Sequence, residues 1–121
     1  MQTRTVPAPE AEDFEGTLAA YCSGIFELYK DLICRGEISA SRGLFTSAWH
    51  AADSVCAART AGCEAAARAA RENGRRAVQE GLYWLWLLEA RGMLPRPERY
   101  DRLTDLAIQV WNGLTEKTRA P

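Results

Sequence analysis

The feature that most constrains this chain is a run of small and apolar residues that keeps one phase from residue 63 to residue 88. Its members, spaced by three and four as on one helix face, are Cys63, Ala66, Ala67, Ala70, Gly74, Ala77, Val78, Gly81, Leu82, Leu85 and Leu88. The run passes through Asn73-Gly74, a dipeptide that usually marks a turn. Because a turn would normally reset the phase, we expect one helix over about residues 63–91. Gly74 then costs about 1 kcal/mol relative to alanine, which predicts that another helix crosses closely there.

Two amphipathic segments precede this long helix. Acidic residues from position 10 onwards favour a helix start, and Gly36 is placed to end that first helix. We expect Ser39 or Ser41 to cap a second helix, which ends near Gly62 because glycine adopts a left-handed conformation easily. The buried side of this second helix is predicted to carry Leu44, Phe45, Ala48, Ala52, Val55 and Cys56.

A fourth helix follows, and no segment shows the alternation of a strand. Gly92 is placed to end the long helix, and Pro97 suits the first turn of the last one. The inner side of the last helix is predicted to carry Tyr100, Leu103, Ala107, Val110 and Leu114. Four helices with short connections predict an all-α fold, an up-down antiparallel four-helix bundle over residues 10–118, with a disordered tail over residues 1–9.

The composition excludes several classes of protein. A chain of 121 residues with 47 % hydrophobic residues fits one globular domain. Its 15 lysines and arginines against 16 acids give a net charge of -1, unlike a dedicated nucleic-acid binder, although a local basic patch remains open. The longest apolar run, over residues 82–88, is too short to cross a membrane, and the N-terminus lacks the apolar segment of a signal peptide. We therefore expect a cytoplasmic protein without a membrane partner.

The aromatic residues near the end of the long helix exceed what one core needs. Leu82, Leu85 and Leu88 are predicted to face inward, whereas Tyr83 and Trp86 project elsewhere. A helix that is apolar nearly all round is buried on more than one side, so we expect a subunit or partner contact. The alternative is that these aromatics are scattered exposed residues. The predicted oligomer interface comprises Tyr83, Trp84, Trp86 and Trp111.

A second candidate surface is basic. Guanidinium groups bind phosphates through two hydrogen bonds, and an oligomer would repeat the patch. The alternative is an ordinary solvated face, because Glu64 with Arg68 and Glu72 with Arg76 are pairs four residues apart in the favourable order. The predicted nucleic-acid or partner-binding residues are Arg59, Arg68, Arg71, Arg75 and Arg76.

The sequence offers little for catalysis or metal binding. His50 is the only histidine, and Asp53 could orient it, but Cys56 is expected to face another direction. The four cysteines show no C-x-x-C pair and are expected to be small buried thiols. No phosphate-binding glycine loop is present. We therefore expect no catalytic residues, no metal and no cofactor.

Three stretches resemble a bacterial four-helix-bundle family. Residues 27–32, "ELYKDL", are similar to the family's "LYK-x-L"; residues 41–47, "SRGLFTS", to "S-K-Q-L-x-x-S"; and residues 83–88, "YWLWLL", to "YWL-x-LL". The family includes proteins encoded by intervening sequences in 23S ribosomal RNA genes and the accessory variability determinant of diversity-generating retroelements. The chain departs from the family where Ser54 and Ala57 replace an asparagine and an acid.

This resemblance implies a function that the residue pattern alone does not. It implies a homo-oligomer, a pentamer in family members, and association with a reverse transcriptase and with RNA or DNA. The expected function is therefore a non-catalytic oligomeric accessory or adaptor protein. The alternative is a structural protein-protein interaction module with no nucleic-acid role.

Overall fold

The computed structural model describes residues 13–119, with side chains described as far as residue 116. Within this range the chain forms four α-helices, and a short 3-10 turn at Pro97–Arg99 precedes the last of them. The predicted tail over residues 1–9 lies outside the described residues. The helices are α1 (Phe14–Cys34), α2 (Ile38–Arg59), α3 (Glu64–Ala90) and α4 (Tyr100–Arg119).

The long third helix is confirmed, because α3 continues without a break through Asn73 and Gly74. Gly74 is buried, and a β-carbon there would lie 3.2 Å from Leu114 Cδ1 of α4 and 3.3 Å from the Ser54 β-carbon of α2. Two helices therefore approach α3 closely at the glycine, as the sequence predicts. The absence of a side chain explains why a poor helix former is placed in the middle of the longest helix.

The four helices form a bundle in which each packs chiefly on its two neighbours. The main contacts join α1 to α2, α2 to α3, α3 to α4 and α4 back to α1, so α1 lies diagonally opposite α3. The predicted all-α four-helix bundle is confirmed, and no strand occurs within residues 13–119. The largest fully buried side chains are Tyr21, Phe14, Ile25, Leu32, Leu44, Leu85, Leu114, Val78 and Val110.

Glycine ends two of the helices as expected. Gly36 follows α1 with φ 81° and Gly92 follows α3 with φ 66°, the left-handed conformation that glycine adopts without steric cost. α2 ends at Arg59, close to the predicted end, but the predicted left-handed conformation of Gly62 is wrong, because its φ is not positive. At the end of α2 the Thr60 hydroxyl instead donates a hydrogen bond to the Cys56 carbonyl at 3.1 Å.

The predicted cap of α2 is also wrong. The helix begins at Ile38, and the preceding residue, Glu37, makes no capping hydrogen bond through its side chain. Ser41 is instead buried inside the first turn, where its hydroxyl donates to the Ile38 carbonyl at 2.8 Å. A serine one turn into a helix can bond backwards to a carbonyl in this way, so its presence alone did not mark the boundary.

The prediction that all four cysteines are buried fails for three of them. Only Cys22 is buried, with its thiol 3.7 Å from the Ala48 carbonyl. Cys56 and Cys63, which the spacing placed on inner stripes, are exposed, as is Cys34. The pattern was misleading because cysteine and alanine are small enough to occupy either side of a helix.

Candidate functional site: the surfaces of α3 and its neighbours

Three of the five predicted phosphate-binding arginines form ion pairs within the bundle. Arg71 Nη2 lies 2.6 Å from Glu64 Oε1, and Arg75 Nη1 lies 2.8 Å from Glu72 Oε1. Arg59 pairs with Glu15 of the neighbouring α1. These are not the pairs that the sequence spacing predicts, because Glu64 and Glu72 each bond a different arginine from the one four residues later.

Arg71 and Arg75 are held by packing as well as by charge. The Arg71 side chain is only 12 % exposed and lines a hollow with Phe14, Val55 and Leu114. The Arg75 guanidinium carbon lies 4.8 Å from the centre of the Trp111 ring, a cation–π contact between α3 and α4. These two arginines therefore stabilise the bundle, and a phosphate would have to compete with their glutamates.

Arg68 and Arg76 are the two predicted arginines that remain available. Both are exposed, and within residues 13–119 neither forms an ion pair. Arg76 lines a groove between α2 and α3, whereas Arg68 lies outside it, nearer the start of α3. The structure thus divides the predicted basic patch into a paired set and two separate free cations.

The groove beside Arg76 is polar. It has a volume of about 350 Å³ and is lined by His50, Asp53, Ser54, Asn73, Arg76, Ala77 and Glu80. Hydrogen-bond donors and acceptors are mixed along its rim, while its floor includes small side chains. Cys56 is not among the lining residues, so the structure does not bring it together with His50 for nucleophilic chemistry. In the described part of the chain no three histidine, cysteine or acidic residues cluster as a metal site requires.

The predicted aromatic interface separates into exposed and packed members. Tyr83 and Trp86 are 56 % and 53 % exposed, and their ring centres lie 6.1 Å apart on the outer side of α3. Trp84 is half-buried against Gly43 of α2, and Trp111 is half-buried beneath Arg75. Tyr83 and Trp86, hereafter the α3 aromatic pair, are therefore the part of the interface that a partner can reach.

A second apolar surface lies where α1 meets α2. Its two most exposed members are Ile38 at 55 % and Trp49 at 59 %. Sequence reasoning missed it, because Phe45 was assigned to the core and Trp49 to no surface. The signal was present in the four-three-four spacing of positions 38, 42, 45 and 49. The α1–α2 apolar face comprises Phe26, Tyr29, Ile33, Ile38, Phe45 and Trp49.

Comparison with known proteins shows that this four-helix fold occurs in a solved structure. A solved structure of a protein of unknown function from the S23 ribosomal protein family of Bacteroides thetaiotaomicron matches this chain with a TM-score of 0.82. The two chains are 19 % identical, and the match covers 88 % of this chain and 99 % of the other. No family profile and no curated protein matches the chain. Among the described residues, no helix has the length and apolar character of a membrane span.

Proposed function

We propose that the protein is a non-catalytic oligomeric adaptor that binds a reverse transcriptase and nucleic acid through α3. The motif resemblance to the retroelement accessory determinant suggests these partners. The bundle shared with a protein of the S23 ribosomal protein family is compatible with this resemblance at the level of fold. No chemistry is required of the protein in this role, which consists of holding two macromolecules together.

One observation carries the proposal: α3 presents exposed arginines and exposed aromatics on the same helix. Arg68 and Arg76 provide cations without internal partners, and Tyr83 and Trp86 provide about half of their surfaces to solvent. Arginine, tyrosine and tryptophan are the residues most enriched among the energetically dominant positions of interfaces. In an oligomer the free arginines would recur on every subunit and contact several phosphates of one strand.

Nucleic-acid binding is tested by a salt titration with fluorescently labelled single-stranded RNA and DNA. The affinity should fall as salt rises, because arginines that bind phosphates release counterions. Arg68→Glu with Arg76→Glu should weaken binding and reduce the slope of log affinity against log salt by about 1.4 per subunit engaged, since each phosphate contact on a single strand contributes about 0.7. Arg102→Glu, an exposed arginine of α4, is the matched control. Absent or salt-independent binding, or an equal effect of the control, would refute the proposal.

The oligomer is tested by measuring the mass of the protein in solution. Light scattering after size-exclusion chromatography should show a multimer that dissociates in Trp86→Glu, because a carboxylate would be buried in the contact. Trp49→Glu, which changes an almost equally exposed tryptophan of α2, should keep the multimer. A reverse-transcriptase gene beside that of this chain, and co-purification of the two products through the α3 aromatic pair, would support the proposed partner.

A second candidate is a structural interaction module with no nucleic-acid role. The observation that favours it is the pairing of Arg59, Arg71 and Arg75 with glutamates, which leaves the proposed phosphate-binding surface with two free cations. In this case Trp86→Glu changes the mass of the protein, while no oligonucleotide binds at low salt. The two experiments above therefore separate the candidates.

A further inference from the structure

The α1–α2 apolar face is a continuous surface built by two helices. Phe45 of α2 is its centre, with ring centres 5.4 Å from Phe26, 5.0 Å from Tyr29 and 6.3 Å from Trp49. The Phe45 and Trp49 rings are nearly parallel, with 13° between their planes. Exposed apolar side chains that adjoin one another in this way, with polar residues around them, are typical of a protein contact site.

The α2 side of this face has the spacing of a helix-packing seam. Positions 38, 42, 45, 49, 52 and 56 follow one another at intervals of four and three. That repeat is the one by which α-helices pack side by side. The core of the bundle uses a different stripe of the same helix, which includes Leu44, Ala48, Ala51 and Val55. α2 therefore carries a second stripe, of which Ala52 packs partly against the core and the other positions are exposed.

The unpaired charges next to the face are positive. Lys30 of α1 and Arg42 of α2 are exposed, and within the described range neither has an ion-pair partner. Lys30 precedes Ile33 by three residues, and Arg42 lies within the α2 stripe, three residues before Phe45, so each cation is a neighbour of an apolar residue of the face. Glu15 of α1 pairs with Arg59 of α2, and the other acids of the two helices contact other parts of the molecule.

Two acids of α1 contact the last part of the chain. Glu27 Oε2 lies 2.7 Å from Arg99 Nη1, and Asp31 Oδ2 lies 3.7 Å from Arg96 Nε. Two further acids line hollows elsewhere. Glu37 lines a hollow formed with the end of α3, and Asp53 lines the polar groove between α2 and α3.

We propose that the α1–α2 apolar face binds an amphipathic helix of another protein whose apolar stripe is flanked by acidic residues. The helix would lie along the seam, with its aliphatic side chains on Phe45, Trp49 and Ile38 and its carboxylates on Lys30 and Arg42. Ile33 and Ile38 favour a helix over a single nucleic-acid strand, because bases gain stacking energy from aromatic rings and not from aliphatic side chains. The inference concerns a different surface from α3 and does not depend on the proposed function.

The test uses a display library of helix-forming peptides of about 20 residues, long enough to form helix on their own. Leucines are fixed at three and four spacing, and the flanking positions are drawn equally from Glu, Lys and Ser. Peptides selected on the wild-type protein should be enriched in glutamate at the flanks. Their affinity is then measured by fluorescence anisotropy on purified variants.

Trp49→Glu should weaken the selected peptides tenfold or more, as expected for a central aromatic anchor. Lys30→Glu with Arg42→Glu should weaken them and favour lysine-flanked peptides in a repeated selection, which a merely structural role would not do. The matched control is Trp86→Glu, whose tryptophan is almost equally exposed and which should leave the affinity unchanged. Circular dichroism confirms that each variant is folded.

Several outcomes would overturn this proposal. One is a selection that yields no binder, or binders without excess acid, or binders that tolerate Trp49→Glu. Another is a multimer that dissociates in Trp49→Glu, since the face would then be occupied by a second copy of the chain. Binding of vesicles rich in phosphatidylserine, or of an oligonucleotide, that is lost in Trp49→Glu would assign the face to a membrane or a nucleic acid instead.

Discussion

Gly43 of α2 lies directly against the indole ring of Trp84 in α3, and a β-carbon at position 43 would overlap three atoms of that ring. Because of this contact, Trp84 is more buried than the neighbouring aromatic residues of α3. Tyr83 and Trp86 remain more than half exposed, whereas Trp84 enters the space that the glycine leaves open. A residue without a side chain on one helix thus determines how the largest side chain of the next helix is placed.

Gly43→Ala should therefore destabilise the bundle by about 1 to 3 kcal/mol, the usual cost of overpacking. The loss outweighs the gain of up to about 1 kcal/mol that alanine brings to a helix. Gly16→Ala is the matched control, since it lies in α1 with no atom within 4 Å of the added β-carbon. Urea unfolding should show opposite signs for the two variants. A stabilised Gly43→Ala protein would mean that Trp84 moves aside freely.

Gly81 makes a second close approach of this kind, in the interior. A β-carbon at Gly81 would overlap the Tyr21 hydroxyl and lie 3.1 Å from Ser47 Oγ. Gly81→Ala should destabilise the protein by about 1 to 3 kcal/mol, and Tyr21→Phe should recover part of that loss because it removes the overlapping oxygen. A double-mutant cycle measures the coupling. Additive effects of the two substitutions would show that the hydroxyl is not what limits position 81.

The helices of this bundle were accessible to sequence reasoning because their signals are periodic. The run through Gly74 keeps its phase, and Gly36 and Gly92, placed just after the last periodic residues of α1 and α3, have the positive φ expected of a glycine that ends a helix. The Ser41 prediction failed because a serine hydroxyl bonds a carbonyl inside a helix as readily as it caps one. Local patterns identified the elements, and the boundaries depended on the hydrogen bonds each side chain formed.

The surfaces were less accessible, because they depend on which neighbour a side chain finds. Spacing placed Arg71 and Arg75 on one basic face, but each bonds a glutamate, and Arg75 also covers Trp111 of another helix. Contacts between helices far apart in sequence cannot be read from one helix at a time. Phe45 illustrates the same limit, because its position between α1 and α2 is defined by its contact with Tyr29 of α1, which the pattern of α2 alone does not show.

The cysteines provide a direct chemical test of the surface. Cys34, Cys56 and Cys63 are exposed, and Cys22 is buried between α1 and α2. Three thiols should react with a disulfide reagent within minutes in the native protein, and the fourth only on unfolding, because thiolate formation needs access to solvent. Cys22→Ala should retain all three fast reactions. A native protein with fewer than three fast thiols would show that one of the others is covered, for example by a second subunit.

The stability of the protein should fall at alkaline pH because of Tyr21. Burial raises the pKa of the Tyr21 phenol well above its ordinary value of about 10, and the neighbouring Cys22 thiol raises this pKa further. The nearby Ser47 Oγ lowers the pKa of Tyr21. Among the described residues, however, the Tyr21 hydroxyl has no hydrogen bond of good geometry. The neutral phenol is thus strongly favoured in the folded state.

The consequence for stability has a definite sign. Below pH 10 the phenol is neutral in both states and its contribution is fully present; above it, the unfolded chain releases the proton while the folded one retains it. The free energy of unfolding should therefore fall by up to about 1.4 kcal/mol per pH unit from this group. Tyr21→Phe should be nearly neutral at pH 7, since a hydroxyl without a good partner contributes little, and should show a smaller loss above pH 10. Urea unfolding at pH 7 to 11 compares the two proteins, and parallel profiles would exclude Tyr21 as the source.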